Sequence, residues 1–486
     1  MKLRFFLSLI LFVSSPFFFH GQGITIQQGA RVTVQNGAKI STTGTFGISV
    51  KSDETGTGSF LDQNSSGSNV LFSGKQTMER YITGDTRYHL FSSAVSGATF
   101  GTIFPSQQDH IWIREFMEQT NSWINRIHNE TALQGRGYSV YLNGISSLTA
   151  LFTGSLGTGE IPCGSSLTGN METGPGNGWN LTGNPYPSAI SWNLLTRSGI
   201  LGSVYAWNAT SGNWDSFNGT TGSLTDGIIP GGQGFFIQVT GDAPVLTFSN
   251  SSRVHGSGTL YYKSSSLPGW LTIGVTDNLT PYSDKVFIGF DAGATQGFDP
   301  GQDAYKLRGD ADAPEIFTAG DPILSISVLK SADETPSVPL GFKAGAEAEY
   351  TFTAAGMESF LPEHPVILED KLTGALVNLK QDTVYTFHAV KGEWLNRFSI
   401  RFASVGVDQE QAESISFYTT GKTICLDFPV ALEGTARLYS ITGQYISGHR
   451  ISAPGMMKIP VTGATGIYII SLQTNRSVIS RRLYIQ

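Results

Sequence analysis

Residues 23–50 read GITIQQGA RVTVQNGA KISTTGTF GISV, and this stretch decides the fold class. Ile24, Val32, Ile40 and Ile48 recur eight residues apart, and Ile26, Val34 and Val50 keep the same spacing, with Thr42 as the weak member. Each block alternates apolar and polar residues for about four positions, then turns at Gly-Ala or Thr-Gly. Alternation with period two followed by a turn is the signature of a strand, not of a helix. A solenoid-like cap is the alternative, although repeat arrays usually use longer units and more copies. Residues 23–75 are therefore expected to form a short β segment packed on the domain that begins near residue 76.

The rest of the chain continues in the same manner. It has 486 residues, with 58 Gly, 20 Pro, 30 Phe, 17 Tyr, 8 Trp and only 14% charged residues. Ordinary soluble chains carry about 25% charge, so Ser, Thr, Asn and Gly must hydrate much of this surface. Apolar content of 40% is enough for packed cores and argues against general disorder. Net charge is −7 and no basic cluster occurs, which argues against nucleic acid and against anionic membrane as partners. Gly follows no triplet period, so collagen is excluded as well.

The amino-terminal residues read as a secretory signal. Lys2 and Arg4 precede an apolar run, Phe5 to Val13, which a Ser-Ser-Pro break separates from Phe17 to Phe19. Cleavage is expected near Gly21–Gln22. The run is short for a bilayer span of about 20 residues. Two cysteines, Cys163 and Cys425, cannot build a disulfide framework, so the domains must be held by core burial.

From Lys75 to Asn250 strand patterns alternate with turn clusters at Asn-Gly, Thr-Gly and Gly-Asn. Expected strands include Tyr88–Phe91, His110–Phe116, Gly137–Leu142, Val204–Asn208 and Gly234–Val239. One short helix is expected at Ser188–Leu195, started by Pro187-Ser188 and stopped by Gly199. A second β block runs from Gly256 to Phe402, with turns about every 10 residues, as a two-sheet sandwich requires. A linker at Val407–Glu413 precedes a last β unit. The expected organisation is all-β: a signal at 1–22, a β repeat segment at 23–75, sandwich-like domains at 76–255 and 256–405, and a small sandwich at 407–486.

The last unit resembles the type A carboxy-terminal sorting domain of the type IX secretion system of Bacteroidetes. The matching pieces are Ala436–Gln444, a strand and turn ending in Gly443-Gln444, then Gly466-Ile467-Tyr468, and the closing strand Arg481-Arg482-Leu483-Tyr484-Ile485. Two features depart from that pattern: no Pro-Asn-Pro opens the unit, and Arg482-Leu483 stands where Lys-Val or Lys-Phe is common. The body resembles large secreted proteins of the same bacteria without an assigned reaction. The recurring pieces are Met78–Ile82, Tyr88–Ser93, Gly183-Asn184-Pro185-Tyr186-Pro187, Gly232–Phe236, Tyr305-Lys306-Leu307, Leu368–Lys371 and Arg397–Phe402. The resemblance implies export to the outer-membrane surface or the medium. Its partners would be the secretion machinery, the sorting protease and, for an anchored form, surface lipopolysaccharide.

No catalytic signature stands out. The sequence lacks a His-Glu-x-x-His, a Gly-x-Ser-x-Gly elbow, a phosphate loop and a dinucleotide fingerprint. Two carboxylates suffice for a glycosidase, and their separation is not legible in sequence. The tryptophans are the most suggestive feature: Trp112, Trp123, Trp179, Trp192, Trp207 and Trp214 fall within about a hundred residues. Sugar C–H faces stack on such rings while amides and hydroxyls take the sugar hydroxyls. The alternative is that these rings fill sandwich cores. Trp207 and Trp214, in a turn-rich segment, are the first candidates for an exposed glycan site. Asp299, Asp303, Asp310 and Asp312, in an Asp-rich stretch, are candidate calcium ligands, although Asp also caps turns through its own backbone. Asp382-Thr383-Val384 resembles the O-glycosylation acceptor of this phylum. The expectation is an exported, non-catalytic scaffold or adhesin without a cofactor. A glycan-binding surface protein is the alternative, followed by a carbohydrate-active hydrolase.

Overall fold

The computed structural model describes residues 23–84, 87–163, 167–169, 176–241, 243–256, 269–402, 416–428, 434–441, 444–451, 455–474 and 478–485. The expected signal at 1–22, its cleavage site and the linker at 407–413 lie outside the described residues. The fold is all-β, with 54% strand and 5% helix. The chain forms two compact units. The first takes in the described residues up to Lys330, Leu340–Phe360 and Val384–Leu395; the second takes in Ser331–Pro339, Leu361–Thr383 and those from Asn396 onward.

In the first unit, the eight-residue repeat closes into a parallel, three-sided solenoid. Strand Ile24–Ile26 pairs in parallel with Phe46–Val50, setting Ile24 beside Ile48 and Ile26 beside Val50. Arg31–Val34 pairs likewise with Ser59–Asp62, and Ile40–Thr42 with Val70–Phe72. Each block of eight is thus one side of a coil, and three blocks make one turn. Gly29 and Gly37, with φ of 71° and 82°, turn the corners after the first two sides, a conformation that L side chains rarely adopt. Ile26, Val34, Ile48, Val50 and Phe60 point inward and are buried. Strand Lys75–Thr83 continues the first side in parallel, and Ser147–Thr153 closes it antiparallel.

Beyond the solenoid lies an antiparallel sheet ordered Tyr88–Ser92, Gly137–Leu142, Ile111–Met117, Ser122–Arg126. Phe91, Ile111, Ile113, Tyr138, Val140 and Leu142 face the core shared with the solenoid. The opposite face carries Leu90 and Phe116, which join Leu181, Tyr205 and Phe236 in another core. Those last three belong to a second four-stranded sheet: Trp179–Gly183, Gly234–Gln238, Val204–Asn208, Asn213–Phe217. Alternation along Gly234–Gln238 sends Phe236 to one core and Phe235 and Ile237 to another, where they meet Trp192 and Phe248. Further strands of this unit include Leu271–Asp277, which pairs antiparallel with both Ser283–Phe290 and Ala348–Ala355.

The helix expected at Ser188–Leu195 is not formed. Ala189–Ser191 is a strand and only Trp192–Leu194 makes a single 3-10 turn. Ile190 pairs with Ile229 on one side and Arg253 on the other, so strand pairing on both edges overrides the local Pro-Ser start signal.

In the second unit, Ile367–Asp370 pairs antiparallel with Ala375–Asn378 and with the end of Gly392–Arg401. The last residues form two sheets. One is Ser416–Thr420, Thr423–Phe428, Gly455–Pro460; the other is Tyr445–Ile451, Gly434–Ser440, Gly466–Thr474, Val478–Ile485. Ile424, Leu426 and Ile459 from the first meet Ala436, Leu438, Ile470 and Leu472 from the second in one core.

Candidate functional site

The structure divides the tryptophans by environment. Trp207 and Trp214 face each other across paired strands, with ring centroids 5.3 Å apart and edge to face. Both are half-buried against Phe236 and its neighbours. The Trp207 indole N–H donates to the Tyr88 carbonyl at 2.8 Å, and that of Trp214 donates to the Arg308 carbonyl at 3.1 Å. Their polar handles are held by backbone and their rings are partly packed, so less of each ring is open than at Trp112 or Trp123. Trp192 is fully buried, its N–H on the Gly202 carbonyl, and Trp179 is half-buried among Tyr205, Tyr305 and Phe236.

Trp112 and Trp123 differ: 45% and 40% exposed, they stand on the outer face of the four-stranded sheet beside the solenoid. Ile111 and Ile113 point into the core, so alternation turns Trp112 and Arg114 outward. Cross-strand register then builds a row. Tyr88 lies opposite Tyr141, and Tyr141 opposite Trp112. The Tyr141 and Trp112 rings stack at 5.3 Å with 16° between planes, and the Tyr88 and Tyr141 rings are 4.8 Å apart. In the next row along the strands, Arg114 lies between Ser139 and the exposed Asn125. The Arg114 guanidinium carbon is 5.9 Å from the Tyr88 ring centroid, a weak cation–π approach. One row further, Trp123 pairs with Phe116, which seats it against Phe236. The result is a partly exposed aromatic row, with Arg114 beside it at the margin of the core that Leu90, Ser139 and Phe116 enter on the same sheet face. The sequence signal for it was the alternation in Ile111-Trp112-Ile113-Arg114.

The acidic candidates occupy turns. Asp299 accepts from the backbone N–H of Thr295, at 2.7 Å, and from its hydroxyl; Asp303 accepts from the N–H groups of Asp299 and Val328, both at 2.8 Å. Burial pushes the Asp303 carboxyl up to about 6. Asp310 accepts from the N–H of Asp312, and Asp312 pairs with Lys391. Asp299 and Asp303 thus share one turn, and Asp310 and Asp312 another. Among the described residues, no group of three or more His, Cys, Asp and Glu side chains could hold a metal ion. Thr383 is exposed, directly before strand Val384–Ala389.

Of the sorting-motif residues, Gly443 lies outside the described residues. Gln444 closes a turn onto Ser440, its N–H on the Ser440 hydroxyl at 3.1 Å. Gly466 opens a strand in which Tyr468 is buried, with its hydroxyl donating to the Ala464 carbonyl at 2.7 Å. Arg482 lies opposite Ile469 on the last strand, and Arg481 approaches the Phe417 ring at 5.9 Å. A cleft of about 500 Å³ lies elsewhere, on the solenoid beside Thr42, Phe60 and Phe72. No charged side chain lines it.

Comparison with curated proteins finds no match to this chain. A family model does match, over residues 18–402, and the chain accordingly belongs to the family described as Domain of unknown function (DUF8693).

Proposed function

We propose that this chain is an exported surface protein that adheres to saccharide through the outer face of its Tyr88–Tyr141–Trp112 sheet. The observation that carries this reading is the exposed aromatic row itself. Large rings left in water cost free energy at roughly 25 cal/mol per Å², and their exposure as a contiguous set marks a surface used for contact. Aromatic rings take sugar C–H faces, while the Asn125 amide and the Tyr88 and Tyr141 hydroxyls offer hydrogen bonds to sugar hydroxyls. The row crosses three strands, which suits an extended polymer more than a small ligand enclosed in a cavity. Export rests on the sorting-domain resemblance of residues 407–486, delivered by the type IX machinery and its protease.

The test is affinity electrophoresis of the full chain through gels containing a panel of polysaccharides. At least one polymer should retard the native protein, and Trp112→Ala with Tyr141→Ala should abolish that retardation while leaving the fold intact. Unchanged mobility of native protein in every gel would refute saccharide adhesion. Export is checked separately: removing residues 407–486 should leave the protein inside the cell envelope.

A further inference from the structure

We propose that the saccharide bound on this face carries carboxylate groups, and that Arg114 is the residue that selects them. The inference rests on the saccharide reading above and adds the ligand's chemical class. Its basis is the state of Arg114. The side chain is half-buried, its Nε is buried with no hydrogen-bond partner, and no carboxylate among the described residues pairs with it. Other arginines of this unit are engaged: Arg126 and Arg136 with Glu115, Arg253 with Phe60, Ser188 and Asn250, and Arg80 with Gln233.

A guanidinium partly withdrawn from water without an anionic partner is costly, and an anion on its terminal nitrogens relieves that cost, the buried Nε being closed to any ligand. Its two terminal nitrogens, coplanar and side by side, match a carboxylate in bidentate fashion. Position supports this assignment. Arg114 is two residues from Trp112 on the same strand face and directly across from Asn125, and Phe116 with its partner Trp123 lies on the far side. A sugar ring resting on either aromatic flank would bring an acid substituent over the guanidinium. The chain as a whole carries −7, so its overall field repels polyanions, and any preference for an acidic polymer must come from local contacts.

The experiment uses the full chain and three probes: polygalacturonate, the same polymer after carboxyl reduction, and dextran sulfate. Native protein should bind polygalacturonate roughly tenfold or more tightly than the reduced polymer, the worth of one charge-assisted bidentate contact. Arg114→Gln should abolish that preference with unchanged near-ultraviolet circular dichroism, and Arg114→Lys should restore only part of it. Equal binding of native protein to the first two probes overturns the inference, as does a preference that survives in Arg114→Gln. Dextran sulfate binding as tightly as polygalacturonate would overturn the commitment to carboxylate. Retardation by neutral polymers without binding to polygalacturonate sinks this inference alone. Failure of every saccharide sinks the adhesion reading and this inference together.

Discussion

The Arg80 guanidinium donates to the Gln233 side-chain oxygen at 2.6 Å across 153 positions of sequence, and both residues are buried. A second nitrogen of the same guanidinium donates to the Gly232 carbonyl. Arg80 lies on the strand that continues the solenoid, and Gln233 directly precedes the central strand Gly234–Gln238. The contact thus ties the repeat segment to the second sheet of the same unit. Hydrogen bonds to a charged donor are worth about 1.5–3 kcal/mol each, and their loss here leaves buried acceptors unpaired. Arg80→Met should therefore destabilise the first unit by about 3 kcal/mol. A double-mutant cycle with Gln233→Leu should return a coupling of about 1–3 kcal/mol from urea unfolding midpoints. Additive effects of the two substitutions would disprove the latch.

The tryptophans give a contrast that separates stability from binding. Trp207→Ala removes a packed ring and strands the Tyr88 carbonyl that its N–H serves. A loss of about 3–4 kcal/mol in unfolding free energy is expected. Trp112→Ala removes a ring that is nearly half in water, so a loss under about 1.5 kcal/mol is expected, with saccharide retardation abolished. If Trp207→Ala leaves the unfolding midpoint unchanged, the assignment of that ring to the core fails.

The β character of this chain was readable because strand alternation and Gly turns are local signals. The solenoid stood only as the alternative there, although its eight-residue period was plain. Pairing acts at 24 residues, between Ile24 and Ile48, and the insertion of the Ser52–Asp53 and Gly56–Thr57 hairpin displaces the later sides. Val32 therefore meets Phe60, and Ile40 meets Val70, at longer and unequal separations. The family-like motifs were also legible, but their role was not. Asn184 donates to the carbonyls of Ser188, Ile229 and Pro230, Lys306 pairs with buried Asp284, and Asp370 with buried Arg397. These are contacts of the fold, and only three-dimensional pairing reveals them. The outer aromatic face was missed for a related reason: its members come from three strands, and no sequence window contains them together.

Acid should act on the first unit in two opposing ways. Burial pushes the Asp215 carboxyl up to about 6, only partly offset by hydrogen bonds from Asn208 and Ser223. Its folded value exceeds the ordinary 3.8, so the stability it contributes is present at low pH and lost as pH rises through about 6. His255 is held down to about 4 by burial and by Arg31 and Arg253, while its ring nitrogens bond the Thr33 and Ser59 hydroxyls. Because its folded value lies below 6.5, the unfolded chain takes the proton first, and stability falls as pH drops from 6.5 toward 4. Asp215→Asn should therefore gain on the parent between pH 4 and pH 7, by on the order of 2 kcal/mol. His255→Gln should flatten the loss between pH 6.5 and 4. Urea midpoints at pH 4, 5.5 and 7 measure both, and parallel pH profiles for parent and variants would contradict the assignment.

The solenoid coil is closed by Asp62, which is fully buried at the end of strand Ser59–Asp62. One carboxylate oxygen accepts from the Thr158 hydroxyl and the Asn250 amide, both at 2.9 Å. The other accepts from the backbone N–H of Asn64 at 3.1 Å and from its side-chain amide at 2.7 Å. Asn250 in turn accepts from Gly159 and Arg253, and Arg253 donates back to the Phe60 carbonyl in the coil. Every neighbour of the Asp62 carboxylate is a donor. Asp62→Asn keeps the shape but turns one acceptor into a donor that faces other donors, so a cost of about 3 kcal/mol or more is expected. Asp62→Ala should cost a similar amount by leaving those donors bare. Hydrogen exchange should locate the damage: faster exchange in the coils between Ile24 and Phe72, with Gly434–Ser440 and Gly466–Thr474 of the second unit unchanged. A loss of under about 1 kcal/mol in Asp62→Asn would mean that the coil holds without this junction, through its inward Ile, Val and Phe side chains alone.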